Sequence, residues 1–382
     1  MHKDYVAWAN TKRNEYLLKT EELFKSNKNR WITDFSRHLR DICVRIRKSQ
    51  DELTLSAISN MEYTMLYTNF INRRYVVDIF VYGDKCCLDK NQRMIGEYDV
   101  SFLFVYFDEL WNKLISERKY YVGKVKALEV SSFVLGTLSD FYQYLATITR
   151  HAIVEVNGKN VFADIEKNEI FKVNVGDYMS KTETVYAENK NKNEYKLTEW
   201  FGERLVDKYV FGDYSSLDFS NNVFLYTDFR FAQFECSTFK NANFEGSSLL
   251  GANFRNTNME NCCLDFCSIH EADFYNAMLK NASFKNAQAK FGLTDEKEWQ
   301  FQGFLPTSFR NANLICADFT GANLTGADFT GANLTGADFT GAELTGIDFT
   351  DAILDNAIFD ARVFTIIRRR SYGGMHMLLH SI

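Results

Sequence analysis

Asp318, Asp328, Asp338 and Asp348 recur at intervals of ten residues, and Glu343 falls midway between the last two. Between Asn311 and Ala361 there is no lysine or arginine at all. Carboxylates at fixed spacing and without cations attract positively charged partners and repel phosphate, so nucleic acid is not expected as a direct ligand of this segment. Other residues with reactive side chains form no constellation. There is no phosphate-binding glycine loop, no paired zinc-ligand spacing and no nucleophile elbow. Cys86 and Cys87 are adjacent, which on a strand sends them to opposite faces. His376 and His380 stand one turn apart if the tail is helical, a pair without a third metal ligand. No catalytic residue, metal or cofactor is therefore expected, and the acids must act as a surface.

What positions that surface is a period of five. Stepping by five from Phe309 gives Leu314, Phe319, Leu324, Phe329, Leu334, Phe339, Leu344, Phe349, Leu354, Phe359 and Phe364. The same phase runs upstream from Phe219 to Phe284 with looser sequence. Two residues before most of these centres stands a small side chain, such as Ala312, Ala317, Ala322, Ala327, Cys262 or Cys267. A helix repeats near 3.6 and a half-buried strand at two, so neither accounts for five. One large and one small inward residue per five describes a short straight side followed by a corner. Phe319, Leu324, Phe329, Leu334, Phe339, Leu344 and Phe349 are then the expected core. The residue before each centre, including every acid named above, faces outward, as does Cys263. Gly321, Gly326, Gly331, Gly336, Gly341 and Gly346 fall at the corners.

The units "ADFTG" and "ANLTG" carry a small residue, Asp or Asn, Phe or Leu, and two further polar or small residues. Over residues 214–364 the sequence resembles the pentapeptide-repeat proteins. The resemblance implies a right-handed, four-sided β-helix with four pentapeptides, about twenty residues, per coil. Centres twenty apart would share a face: Phe319, Phe339 and Phe359 on one side, Phe329 and Phe349 opposite, leucines between, with two Phe and two Leu in every layer. Asp318 and Asp338 would stack on one face, Asp328 and Asp348 on the opposite one, and Glu343 on a third. Such acids either satisfy corner hydrogen bonds and keep the rod soluble, or imitate a nucleic-acid surface. Some members of the family resemble duplex DNA in width and charge and bind type II topoisomerases. They are little more than the solenoid plus a terminal dimerising helix, so a homodimer is among the expected assemblies. This chain has some 200 further residues in front.

The pattern breaks at residues 290–303, "KFGLTDEKEWQFQG", and resumes in phase at Phe304 or Phe309. There Thr294 would cap a turn containing Asp295, Glu296 and Glu298, with Trp299 packing back on the coil. The segment reads either as a tolerated insertion or as a projecting contact loop, with Glu296 and Trp299 joining Asp318, Asp328, Asp338, Glu343 and Asp348 as partner-binding residues.

Residues 1–200 read as a separate α/β domain, giving a mixed α/β plus β-helix architecture. Trp31, Phe35, Leu39, Ile42 and Ile46 make a helical stripe, and "YVVDIFVY" (75–82) a strand. "VEVNGKNVFADI" (154–165) reads as a hairpin with Asn157 and Gly158 at its tip. Residues 101–118 and 125–150 read as buried strand and helix. A charged connecting segment follows at 181–196, then a linker or capping helix ending at residue 213, and residues 365–382 read as a C-terminal cap or tail.

The composition is 46% hydrophobic and the net charge −6, with the acid unevenly placed: residues 211–361 carry 8 Lys and Arg against 20 Asp and Glu. The arginines at 368–370 read as a soluble terminus or a dock for the rod. The first residues lack a secretory pattern and no apolar run spans a membrane, so a cytoplasmic location, reduced cysteines and no membrane partner are expected. Three functions follow. The first is a non-catalytic scaffold whose front domain selects a peptide or biosynthetic enzyme; the second is a DNA-mimicking topoisomerase binder; the third is an enzyme hidden in the front domain.

Overall fold

The computed structural model describes residues 2–83, 92–156, 158–178, 182–189, 209–290 and 304–360. They belong to two compact units. Cys86, Cys87, Glu296, Trp299, Phe364, the arginines at 368–370, His376 and His380 lie outside the described residues, as do the turn expected after Thr294 and the capping helix up to residue 208.

The first unit contains a mixed sheet of five strands with helices. In chain order it runs α1 (Lys3–Asp51), β1 (Ile58–Met65), α2 (Tyr67–Ile71), β2 (Val76–Tyr82), β3 (Arg93–Asp99), α3 (Val105–Glu117), α4 (Ala127–Leu135), α5 (Leu138–Glu155), α6 (Gly158–Val161), β4 (Lys167–Asp177) and β5 (Thr182–Asn189). The sheet order is β3-β2-β1-β4-β5. Only β1 and β4 pair in parallel, because the helical crossover lies between them. The stripe Phe35, Leu39, Ile42 and Ile46 is buried on α1, and the Phe35 ring meets Tyr63 of β1 and Tyr98 of β3 at 5.1 and 4.9 Å. Polar links fix α1 against α5: Tyr144 Oη donates to Glu21 at 3.1 Å, Ser36 Oγ to Glu155 at 2.9 Å, and Arg13 pairs with Asp140 at 2.7 Å.

Three expectations for this unit are corrected. Residues 154–165 are no hairpin: α5 continues to Glu155 and α6 follows. The apolar residues Leu145, Ile148, Ala152 and Ile153 are buried at helical spacing, while Val154 is exposed, and this long stripe overrides the local Asn-Gly turn signal. Residues 101–118 and 125–150 contain helix and turn but no strand, with Phe107, Leu110, Trp111 and Leu114 supplying the buried face of α3. The connecting segment begins as an edge strand: in β5, Val185 is buried and Thr184 donates to Asn174 at 2.9 Å.

The second unit is a solenoid. Parallel bridges join each outward residue to the one twenty positions on, four per coil, as in Asp318↔Asp338, Asn323↔Glu343, Asp328↔Asp348 and Asn333↔Ile353. Phenylalanines stack down two faces: Phe319 on Phe339 at 5.0 Å and 7°, Phe339 on Phe359 at 4.9 Å and 2°, Phe309 on Phe329 at 4.6 Å. Rings from the two faces meet edge-on inside, Phe319 against Phe329 at 86°. Leu314, Leu324 and Leu334 fill the other sides and are fully buried. Phe349 and Phe359 are only partly buried. The two-Phe, two-Leu layer does not extend to the start of the solenoid, where Phe219, Phe224, Phe229 and Phe234 line four successive sides.

In the unit 319–323 every backbone amide is used. Phe319 donates to Asp338 O of the next coil (2.7 Å), Gly321 to Thr340 O (2.9 Å), and Asn323 to Ala287 O of the previous coil (2.9 Å). Ala322 closes the corner by donating to Phe319 O at 3.0 Å. The fifth amide, Thr320, donates to the Asp318 carboxylate at 3.0 Å. No amide is left over in this unit; where Val223, Met278 or Ile353 is the outward residue, its side chain offers the fifth amide no acceptor. The corner needs a left-handed residue two places after the centre, and φ there is +68° at Gly321 and +69° at Gly336. Asparagine serves as well: Asn221, Asn241, Asn261 and Asn281 hold φ near +60° and form an amide ladder with side-chain bonds of 3.0, 3.1 and 3.0 Å.

Across the interruption the bridges jump by 35 instead of 20, as in Asp273↔Ser308 and Ser283↔Asp318. The excess is three units of five, so phase survives, and Phe274 stacks directly on Phe309 at 5.0 Å and 3°. The repeat therefore resumes at Phe309. Phe304 is half-buried and donates its amide to Glu271 at 2.7 Å.

Candidate interaction surface

Many outward Asp and Asn residues have a backbone duty as well as a surface one, whereas Val223, Met278, Ile353 and Ile358 at the same position are exposed apolar side chains. Asp318, Asp328, Asp338 and Asp348 each accept, at one carboxylate oxygen, both the amide of the threonine two residues on (2.8–3.0 Å) and its hydroxyl (2.6 Å). Asparagine performs the same task with its amide oxygen, as at Asn333, which accepts from Thr335 at 3.1 Å from the amide and 2.7 Å from the hydroxyl. The bond requires an acceptor and not a charge. The negative charge of the aspartates is additional to what the backbone demands.

Cations offset part of that charge in the earlier coils. Arg255 pairs with Asp273 at 3.0 Å, Lys285 with Asp318 at 3.0 Å and Arg310 with Asp328 at 3.3 Å, each reaching across to the next coil. Burial alone would raise the Asp318 carboxyl, but the Thr320 hydroxyl and amide and the Lys285 ammonium together hold it below the ordinary range. Arg310 is the last basic residue before position 361. Beyond it the acids also emerge further into water: Asp318, Asp328 and Asp338 are half-buried, whereas Glu343, Asp348, Asp351, Asp355 and Asp360 are exposed. Glu343 accepts from Asn323 at 2.8 Å on its own face.

The five acids expected as partner-binding in these coils thus lie on three sides, Asp318 with Asp338, Asp328 with Asp348, and Glu343 apart. Among the described residues no cluster of His, Cys, Asp or Glu could hold a metal, and no helix is long and apolar enough to cross a membrane. Cys262 and Cys267 are buried, with thiols pushed up to about 12 by that burial, and each donates to a carbonyl of the preceding coil, Phe239 and Phe244. Cys263 is half-buried on the outward side. The expectations about the acids overlooked Tyr226 and Phe266, which stand at corners with their rings largely in solvent. Their signal was present: an aromatic residue two places after a centre, where most units have Asn or Gly.

A family model described as pentapeptide repeats matches in 8 copies, over residues 227–265, 237–274, 307–341 and 332–360. Among solved structures, QnrB1, a plasmid-mediated fluoroquinolone resistance protein, aligns at 17% identity over 42% of this chain and 94% of its own, with a TM-score of 0.26. HetL, a pentapeptide repeat protein involved in heterocyst differentiation regulation in the cyanobacterium Nostoc sp. strain PCC 7120, aligns at 19% identity over 38% and 86% of the two chains, TM-score 0.13. A pentapeptide repeat protein of the cyanobacterium Cyanothece 51142 aligns at 21% identity over 39% and 91%, TM-score 0.17. Among curated proteins nothing matches. Residues 227–274 and 307–360 are thus pentapeptide repeats.

Proposed function

We propose that this chain is a non-catalytic protein-interaction scaffold in which the acidic C-terminal coils of a right-handed, four-sided solenoid present the binding surface and the N-terminal α/β unit supplies specificity. One observation carries the reading. Asn333 and Asp338 make the same two bonds to a following threonine, and Lys285 and Arg310 pair with Asp318 and Asp328, so the charge at Asp338 and Asp348 serves something other than the fold. Exposed carboxylates without neighbouring cations steer and orient a basic partner. The test compares affinity capture by the full chain with capture by Asp338→Asn/Glu343→Gln/Asp348→Asn. The reading expects proteins retained by the native chain to be lost from the variant, and an unchanged set would sink it.

A second reading is a DNA-mimicking binder of type II topoisomerase, favoured by the absence of basic residues between Asn311 and Ala361. It expects the full chain to alter gyrase supercoiling at micromolar concentration and the neutralised variant not to. No effect from the native chain removes it.

A further inference from the structure

Tyr226 and Phe266 occupy one corner column of the solenoid, two coils apart, with Gly246 between them in the same column. Both backbones are left-handed, φ +52° at Tyr226 and +57° at Phe266, a conformation that disfavours bulky side chains. The same column otherwise holds Gly246, Asn286, Gly321 and Gly341, all residues that tolerate it. Elsewhere in the solenoid an aromatic residue in this conformation is compensated by packing: Phe231 is buried and stacks on Phe211 at 5.0 Å. Tyr226 and Phe266 have less of it: the Tyr226 ring covers Gly246 of the next coil yet the residue stays 72% exposed, Phe266 is 58% exposed, and neither ring meets another ring among the described residues. Strain retained with so little packing in return is what a surface kept for a partner would show.

The surroundings identify what that partner carries. The Tyr226 ring lies over Gly246, where an added Cβ would stand 2.4 Å from Cε1. Beside this column run Glu245 and Asp265, both half-buried carboxylates one residue before Gly246 and Phe266, and Asp265 already accepts at Oδ1 from Ser283 Oγ at 2.5 Å and from the Lys285 amide at 2.9 Å. An exposed aromatic face with a carboxylate at its side suits a guanidinium, which stacks on the ring and donates to the acid. Successive coils are 4.8 to 5.0 Å apart here, measured by Phe224 on Phe244 and Phe234 on Phe254. The two rings are therefore separated by about 10 Å along the column. In a polyproline II segment residues i and i+3 share a side at a spacing of about 9.3 Å, whereas same-side residues of a strand recur at about 6.8 Å.

From this geometry we propose that the Tyr226–Phe266 corner, with Glu245 and Asp265, docks an extended polyproline II segment of a partner protein bearing arginines at i and i+3. The inference rests on the reading of the chain as an interaction scaffold and supplies a partner chemistry at a different place from the C-terminal acids. Fluorescence polarisation of labelled Pro-Arg-Pro-Pro-Arg-Pro against the full chain tests it. The expected results are binding about tenfold tighter than for Pro-Arg-Pro-Arg-Pro-Pro, and weakening of at least about fivefold by Tyr226→Ala or Phe266→Ala, with Phe266→Tyr retaining affinity. Because both side chains are exposed, the urea midpoint of these variants should match the native protein. Equal affinity for the two peptides, or no effect of the double alanine variant, overturns the proposal. Loss of binding in Asp338→Asn/Glu343→Gln/Asp348→Asn also overturns it, by assigning the peptide to the C-terminal acids and leaving the scaffold reading intact. A native dimer that becomes monomeric in the double alanine variant overturns it too, since the corner would then be a contact between copies.

Discussion

At the scale of single residues, an outward Asp such as Asp338 is both an acceptor for a backbone amide and a contributor to the surface. Asp338 separates the two duties experimentally. Asp338→Asn keeps an acceptor for the Thr340 amide and hydroxyl, so unfolding in urea should shift by less than about 0.5 kcal/mol. Asp338→Ala leaves that amide to water and should cost about 1 kcal/mol. If both variants cost the same, the carboxylate's charge, and not its geometry, matters to the fold. His270 makes the complementary case for a buried group. It is 6% exposed, its Nδ1 lies 2.9 Å from Ser268 Oγ, its Nε2 has no partner, and burial pushes its pKa down from 6.5 to about 4. The unfolded chain takes up a proton near pH 6.5 that the folded chain refuses until about pH 4. The neutral histidine's contribution is therefore complete above pH 6.5 and is lost as pH falls towards 4, by up to about 3 kcal/mol. Stability measured by urea unfolding from pH 7.5 to 4.5 should fall with that sign, and His270→Gln should flatten the decline. Thiol reactivity follows the same burial logic. Iodoacetamide with peptide mapping should label exposed Cys236 and Cys316 on the native protein and reach Cys43, Cys262 and Cys267 only in denaturant.

At the scale of elements, the coil is the cooperating unit, since every unit of five bonds forward and backward by twenty residues and closes only one bond within itself. Phe319 is fully buried and stacked 4.9 Å from Phe284 and 5.0 Å from Phe339. Phe319→Ala should cost about 3–5 kcal/mol in urea unfolding. Because layers contact only their neighbours, hydrogen exchange should quicken most at amides near positions 284, 319 and 339. Uniform acceleration across the coils would contradict a nearest-neighbour solenoid. The coil could be read from the sequence because repetition makes the inward position recur in phase some two dozen times, and one misplaced residue cannot hide it. The interruption left phase intact because its excess over one coil is three whole units. Nothing repeats in the first unit, so local signals competed there on equal terms. Asn157-Gly158 suggested a hairpin, yet the stripe ending at Ile153 carries α5 to Glu155, and only packing against α1 decides between them. The corner aromatics were legible in principle. Tyr226 and Phe266 break the pattern two places after a centre, but an out-of-phase aromatic signals exposure only once the coil's geometry is known.

At the scale of the whole molecule, charge is graded along the solenoid's own axis. The earlier coils carry cross-coil pairs such as Lys240 with Glu260 at 3.1 Å and Arg255 with Asp273 at 3.0 Å, while no basic residue occurs between Asn311 and Ala361. Paired charges present little net field beyond their immediate neighbourhood, whereas like charges stacked on several sides sum. A basic partner should therefore be drawn to the C-terminal coils and respond to salt. Raising ionic strength from 50 to 300 mM shortens the screening length from about 14 to about 6 Å, which is little more than one coil spacing. For a partner recovered by the native chain and not by Asp338→Asn/Glu343→Gln/Asp348→Asn, biolayer interferometry should show affinity falling at least about tenfold over that range, mostly through slower association. Affinity unchanged by salt would mean that apolar contacts hold the partner and that the acids serve only to keep the coils soluble.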